Sequence, residues 1–408
     1  MIYFGLKPIA KFLRSNNKRL GFAGGMGQII SQLFANNEQG FAFDFNDLSS
    51  MYQDAAGTIP VTGAGQPVGL VLDKSKGLVG PELVTNGTFN TDTTGWSSAP
   101  SFASTASAVG GVMQVTAQAV YGRQIIPISV TVGKTYLLTG SIRAVSGTAA
   151  LGFAFANGST YKAPANETLT TSTTFVAVSR TVVAWDSTIY VFAGNQTNGQ
   201  VAEFDNISVR ELPGNHATQS TSAKRPLLQQ NATTGAYYLA FDGVDDSLQT
   251  SNIDLSTVNQ FSLFSGVRKL SDSAQIVTEF STSGWLTTGG FYLLSGTDSG
   301  GNGYTSLSNS SAPAKAFTFV APDDAVLSTT FNRISQISTI RRNAVAGTNG
   351  GTGTGNLGNY PLYIGARTGT AYPFSGHLYS LIGVARVTNN SEIVNVEKAI
   401  ARNIGVVL

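Results

Sequence analysis

Short bursts of large apolar residues, spaced by one small or polar residue, run through most of the chain. Val112-Met-Gln-Val-Thr, Leu151-Gly-Phe-Ala-Phe155, Thr174-Phe-Val-Ala-Val178 and Thr188-Ile-Tyr-Val-Phe192 show the pattern, and residues 134–145 extend it. A period of two places alternate side chains on opposite faces of a strand, so these segments predict half-buried β-strands. Val132-Gly-Lys and Asn157-Gly-Ser mark turns between them. Further strands are expected at Phe261–Val267, Gly290–Leu294 and Pro361–Gly365. Residues 236–248 predict two strands joined by a tight Asp-Gly turn, and residues 374–387 predict a long strand pair.

Helical spacing occurs near the two ends. Ile29, Ile30, Leu33 and Phe34 fall at i, i+1, i+4 and i+5, which draws one apolar stripe on a helix of about ten residues. A helix this short needs a partner surface. Three partners are open: its own domain, a larger assembly or a membrane. A short helical turn is also expected near Pro8. At the other end Asn390 or Ser391 caps a helix with Ile393, Val394, Val396 and Ile400 on its apolar face, and Gly405 stops it.

Two groups of motifs lie far apart. Residues 48–76 include Met51-Tyr-Gln-Asp-Ala-Ala-Gly-Thr-Ile-Pro and end in Asp73-Lys-Ser-Lys76. Residues 213–246 carry Gly214-Asn-His-Ala-Thr-Gln219 and Phe241-Asp-Gly-Val-Asp-Asp246. Together they form one phrase interrupted by residues 81–212, as expected when one sandwich is inserted through a loop of another.

Composition narrows the function classes. Charged residues are 12% of the 408 positions, against a usual share of ~25%, while glycine takes 46. Sparse charge and frequent glycine suit short strands with tight turns. Lys7, Lys11, Arg14, Lys18 and Arg19 face only Glu38 within residues 1–40, and the remainder is nearly neutral. That balance gives no footprint for nucleic acid. With no cysteine, disulfides and thiolate metal sites are excluded. The two histidines, His216 and His377, are too far apart in sequence for a zinc motif. No apolar run reaches the ~18 residues of a membrane span, and no secretory leader is expected. Glycines at 347–358 lack both a following helix and a Gly-Lys-Ser/Thr step, so a long mobile loop is expected there. Neither a nucleophile elbow nor a coil repeat is present.

Residues 82–96, with Leu83-Val-Thr-Asn-Gly-Thr-Phe89 and Gly95-Trp96, and the closing Phe204-Asp-Asn-Ile-Ser-Val-Arg-Glu211 resemble the ends of jelly-roll carbohydrate-binding modules. The resemblance implies that Trp96 plugs the core and that sugar stacks on exposed aromatics, for which Trp185, Tyr121 and Tyr161 are candidates; a lone aromatic is more often a core residue. It also implies a structural calcium at Asp205 with carbonyls near Asn86 and Thr88, the alternative being an Asp that ends a strand. Phe241–Asp246, Leu362-Tyr-Ile-Gly-Ala-Arg367, residues 373–386 and residues 392–406 resemble, in order, a concanavalin A-like, laminin-G-type sandwich. Asp242, Asp245 and Asp246 are then a structural hairpin, a calcium site or, least favoured, a glycosidase acid and base pair. His377 is expected as an interstrand imidazole and His216 as a locally hydrogen-bonded loop residue. The stretch Met51–Leu70 together with this sandwich resembles virion proteins of tailed bacteriophages.

The expected fold is all-β. A jelly roll (81–212) interrupts a concanavalin A-like sandwich (41–80 and 213–408), with an N-terminal docking arm (1–40) and a short C-terminal helix. The resemblance implies a non-enzymatic virion structural protein, a tail fibre or collar appendage released by lysis. Its arm meets other virion proteins, Lys7, Lys11, Arg14, Lys18, Arg19 and the Ile29, Ile30, Leu33, Phe34 stripe carrying the contact. Copies associate as a homo-oligomer such as a trimer, and host-surface glycans are further partners. No cofactor is expected beyond the structural calcium. A purely architectural capsid decoration or head fibre, and a secreted bacterial glycan-binding or glycan-cleaving protein, are the other readings.

Overall fold

The structure is a computed structural model. It describes residues 25–57, 59–77, 81–157, 160–184, 186–282, 284, 287–296, 302–309 and 312–408, with backbone alone at 154–157, 160–166 and 317. The described chain is all-β apart from helices α1 (Met26–Leu33) and α2 (Asn390–Ile404) and two short 3-10 turns. Its strands form two antiparallel sandwiches, each with its own apolar core.

In the outer sandwich, one sheet runs Leu227–Gln230, Tyr237–Asp242, Ser375–Val384, Gln260–Lys269, Asp323–Asn332, Ile337–Arg342, with Gly40–Asp44 also paired to Ser375–Val384. The facing sheet begins Met51–Tyr52, Leu70–Val71, Ala217–Thr218, Leu248–Thr250 and continues through Leu362–Ile364, Gln275–Phe280 and Phe291–Ser295. Val71 stands opposite Ala217, so strands from both sides of the interruption complete one sheet. Between the sheets Phe41, Phe261, Phe291 and Phe331 pack in succession, with centroids 6.1, 4.9 and 5.4 Å apart. Such offset aromatic contacts add about 0.5–1.5 kcal/mol each beyond the area they bury. Gly383 lies against this row; a Cβ there would come within 2.5 Å of the Phe41 ring and 2.6 Å of the Phe261 ring.

The inner sandwich holds residues 82–212. One sheet is Thr160–Thr170, Ala149–Asn157, Thr188–Asn195, Arg123–Ser129, Ser97–Ser98. The other is Val176–Val183, Thr135–Ala144, Val201–Leu212, Val112–Ala117, Ser104–Val109. The first and last segments meet, since the Ile207 amide donates to the Gly87 carbonyl at 2.9 Å. Trp96 is buried as the resemblance implies, edge-on to Phe89, and its indole N–H donates to the Asn86 carbonyl at 3.0 Å.

Several sequence expectations are corrected. The Asp-Gly step at 242–243 does not close a hairpin: Tyr237–Asp242 belongs to one sheet and Leu248–Thr250 to the other, so the step is a corner between sheets. Leu239 and Leu248 then both reach the core, each from its own sheet. Residues 375–384 are a single strand, because Gly376 and Gly383 provide clearance for neighbouring atoms and not turns. The glycine-rich 347–358 stretch is partly ordered, with Gly350–Gly351 paired to Ile337–Ser338. The cap of α2 is Asn389, which accepts from the Glu392 amide at 3.0 Å while the Glu392 carboxylate accepts from the Asn389 amide at 2.9 Å.

The apolar stripe of the predicted docking arm is also reassigned. Ile29, Ile30, Leu33 and Phe34 are buried with Ile382, Val384, Val396 and Ile400 of the same chain. Arg386 locks this arrangement, bonding Glu38 (3.1 Å), the Leu33 carbonyl (3.2 Å) and both carboxylate oxygens of Glu392 (2.7 and 2.8 Å). A second copy or a virion protein therefore does not take these four side chains. Lys7, Lys11, Arg14, Lys18, Arg19 and the turn expected near Pro8 lie outside the described residues.

The interrupted phrase closes in a buried knot. The Asp73 carboxylate accepts from the amides of Ala42 (2.7 Å), Ser75 (2.8 Å) and Asn215 (2.6 Å) and from the Ser75 hydroxyl (2.9 Å). The Asp73 amide donates to His216 Nδ1 at 2.9 Å, which leaves Nε2–H to donate to the Leu212 carbonyl at 2.9 Å. His216 thus bonds far beyond its own loop, and burial lowers its pKa, keeping the neutral tautomer that both bonds require. His216→Ala strands one buried donor and one buried acceptor, so we expect a loss of about 2–4 kcal/mol in urea unfolding at pH 7.5. An unchanged midpoint would remove the knot's structural role.

Candidate functional site

The outward face of the inner sheet containing Thr188–Asn195 carries aromatic and apolar residues. Along this strand Ile189 and Val191 point into the core, so Tyr190 and Phe192 point away from it. Phe192 pairs across the sheet with Ile125 on one side and Gly152 on the other, and Gly152 pairs in turn with Glu167. Arg123 lies over this row with its guanidinium 4.1 Å from the Phe192 centroid and 5.8 Å from that of Tyr121. Its charge meets Glu167 at 3.1 Å. Burial raises the Glu167 carboxyl, opposed by Arg123 and Arg180. Gly194 makes room, since a Cβ there would stand 2.7 Å from Arg123 Cγ.

This face is graded in exposure. Phe192 and Arg123 are buried, Tyr190 and Phe102 are half-buried, and Tyr121 and Leu169 are about half exposed at 45% and 50%. Tyr121 sits at a left-handed φ of 61° and packs edge-on to Phe102 at 6.4 Å. The face therefore offers the half-exposed Tyr121 ring and the half-buried Tyr190 and Phe102 rings beside an internally neutralised cation. A ring-stacking surface with its charge already paired suits a neutral ligand that has an apolar side.

The acidic corner is the second cluster. Carboxylate oxygens of Asp242, Asp245 and Asp246 all lie within 4.8 Å of one another. Their hydrogen bonds serve the bend: Asp246 accepts from the Asp242 amide at 3.0 Å, and Asp242 accepts from the amides of Val244 (2.8 Å) and Asp245 (3.3 Å). Lys224 stands 4.0 Å from Asp245. Burial, then Asp242 and Asp245, push the Asp246 carboxyl up to about 6.

Other predicted residues fall elsewhere. Asp205 turns its oxygens to the Asn206 amide (2.7 Å) and the Asn206 side-chain nitrogen (2.9 Å) at a bulge, while the Asn86 carbonyl is taken by Trp96. Tyr161 stands opposite Ala156 in its strand pair. Trp185 lies outside the described residues. Of the three proposed sugar platforms, Tyr121 is on the aromatic face. Tyr190 and Phe192 were missed, although the run Ile189-Tyr-Val-Phe192 is apolar on both of its alternating faces, a signal that one apolar side points outward. A crevice of about 870 Å³ at the seam between sandwiches is lined by Ile30, Phe34, Lys74, Lys76, Lys134 and Asn215 among others, and shares no lining residue with either cluster. Among the described residues no helix is long and apolar enough to cross a membrane.

No family model and no curated protein matches the chain. Similar solved structures include a CBM4 structure, at 13% identity over 31% of this chain and 99% of that one, with a TM-score of 0.27. The CBM22-1 xylan-binding domain of Paenibacillus barcinonensis Xyn10C is 15% identical over 33% of this chain and 97% of its own, with a TM-score of 0.28. The CBM22-1-CBM22-2 tandem of the same protein is 12% identical over 76% and 99%, with a TM-score of 0.32.

Asp246 supplies a pH test. Its folded pKa of about 6 lies above the ordinary 3.8, so the folded state binds this proton more tightly than the unfolded chain. The ionised group therefore subtracts stability as pH rises through that window, and the whole penalty is present at pH 7. Asp246→Asn keeps an acceptor for the Asp242 amide and is expected to melt higher than the parent at pH 7 but level with it at pH 3.5. Melts run with chelator and with calcium separate the two roles of the corner, since an ion held by three carboxylates would reverse that order.

Proposed function

We propose that the chain is a non-catalytic structural protein of a tailed-bacteriophage particle, whose inner jelly roll contacts a neutral glycan through the sheet face bearing Tyr121, Tyr190 and Phe192. The observation carrying the glycan part is the outward aromatic face itself: Tyr121 is about half exposed and Tyr190 half-buried, beside Phe192, which the Arg123 guanidinium covers. A monomeric sandwich gains nothing in stability from presenting half-exposed rings to water, whereas a sugar's C–H face covers them on binding. The particle part is supported by the sequence resemblance at residues 51–70. With α1 engaged at home, attachment falls to residues 1–24 and their five basic side chains.

The glycan part is tested on an array of neutral and anionic glycans with the full chain. Tyr190→Ala is expected to weaken binding to neutral glycans at least tenfold, about 1.4 kcal/mol, without lowering the melting temperature by more than a few degrees. Equal binding by parent and variant, or binding to anionic glycans alone, overturns it. The particle part is tested by immunogold labelling of phage particles and by deleting residues 1–24, which is expected to abolish incorporation and leave glycan binding intact.

A further inference from the structure

The two sheets of the inner sandwich end in four edge strands, and three of these are guarded. Thr160–Thr170 contains Pro164 and a register shift between Lys162 and Asn166. Val176–Val183 is met by the outer sandwich, its Thr181 amide donating to the Ala56 carbonyl at 3.2 Å. Ser97–Ser98 is two residues long. Prolines, bulges, covering segments and short length all stop an edge from pairing with another chain. The fourth edge, Ser104–Val109, has none of these devices. Its ladder to Val112–Ala117 runs without a shift from Ser104 opposite Ala117 to Val109 opposite Val112. Charge does not guard it either, since residues 93–122 contain no Asp, Glu, Lys, Arg or His.

The neighbouring bonds fix which backbone groups of this strand face outward. The Ala103 carbonyl accepts from the Gln118 amide at 2.8 Å, toward the paired strand. Ser104 turns the other way: its amide donates to Ser98 Oγ at 3.0 Å and its carbonyl accepts from Gln124 Nε2 at 3.2 Å. Backbone direction alternates along an antiparallel strand. Thr105, Ser107 and Val109 therefore bond the paired strand, and the amides and carbonyls of Ala106 and Ala108 point away from it. Among the described residues nothing bonds those four outward groups. The side chains alternate as well. Ala106 packs toward the core, while Thr105, Ser107 and Val109 are exposed, Val109 at 49%.

We propose that Ser104–Val109 pairs antiparallel with the same strand of a second copy of the chain, with Ser107 on the two-fold axis. In that register Ala106 exchanges both backbone bonds with Ala108 of the second copy, and Ala108 with its Ala106, so all four outward groups are satisfied. Ser107 then faces itself, and Thr105 faces Val109 as a β-branched cross-strand pair. The occupant is a second copy because a two-fold contact sets each residue near the axis beside its own duplicate. Any charge there would repel itself, and this stretch carries none. The contact joins two five-stranded sheets edge to edge. It involves neither the glycan face nor residues 1–24 and stands apart from both readings of function.

Sedimentation velocity of the full chain, from micromolar to near-millimolar concentration, tests the pairing. A monomer–dimer equilibrium is expected. Ser107→Lys sets two like charges side by side at the axis and is expected to weaken association about tenfold or more, with unchanged far-ultraviolet circular dichroism. Ser107→Cys introduces a single thiol into a chain that has no cysteine. Facing residues of a non-hydrogen-bonded pair have Cα atoms about 4.5 Å apart, within disulfide reach, so mild oxidation is expected to give a covalent dimer on a non-reducing gel. Thr105→Cys, which this register sets opposite Val109, is expected to remain uncrosslinked. A chain that stays monomeric at every concentration overturns the pairing, and so does a dimer that Ser107→Lys leaves intact. Crosslinking through Thr105→Cys in place of Ser107→Cys overturns the register.

Discussion

A carboxylate with no exposure to water sits where the two halves of the outer sandwich meet. Burying a charge of this kind is unfavourable unless donors surround it, and Asp73 has four, contributed from positions 42, 75 and 215. Those positions belong to the first strand, the loop leading toward the inner module and the return from it. The first strand and the return segment each supply a donor to a group carried by the loop between them. His216 then ties the Asp73 backbone to the last residue of the inner module, Leu212. The strand Gly40–Asp44, which carries Phe41 into the aromatic row, is thus held on one side by its ladder to Ser375–Val384 and on the other by the bond from the Ala42 amide to Asp73.

The all-β class and most strand positions were legible from period-two patterning. What that patterning does not encode is which strand pairs with which. The Asp-Gly corner shows why: a tight turn between two apolar runs looks the same whether the runs pair or part, and here Leu239 and Leu248 part to opposite walls of one core. The 375–384 strand misled for a related reason. Glycines commonly signal turns, but Gly383 is small because two phenylalanine rings arrive from elsewhere. The helix stripe at residues 29–34 was found, while its partner was not, because Arg386 and Glu38 are joined across 348 positions.

Site residues were legible to the extent that their chemistry was local. The three acids of the corner lie within five residues of one another, and their carboxylates come together. The aromatic face and the stack of His377 on Tyr238 depend on cross-strand neighbours and were mostly hidden. Arg123 meets Glu167 and Phe192 from separate strands, and His377 meets Tyr238, which lies 139 positions earlier, only through a strand pair. His377 also departs from the expected satisfied imidazole, since its Nδ1 is left without a partner.

Val71 lies directly across from Ala217, so the chain leaves the outer body and re-enters it within the spacing of one strand pair, about 5 Å. A host whose exit and entry points are that close constrains nothing about what hangs between them except that its ends also meet, as Gly87 and Ile207 do. The inner body is in that sense a cassette: it can be exchanged whole while the supporting framework keeps its core and its helices unchanged.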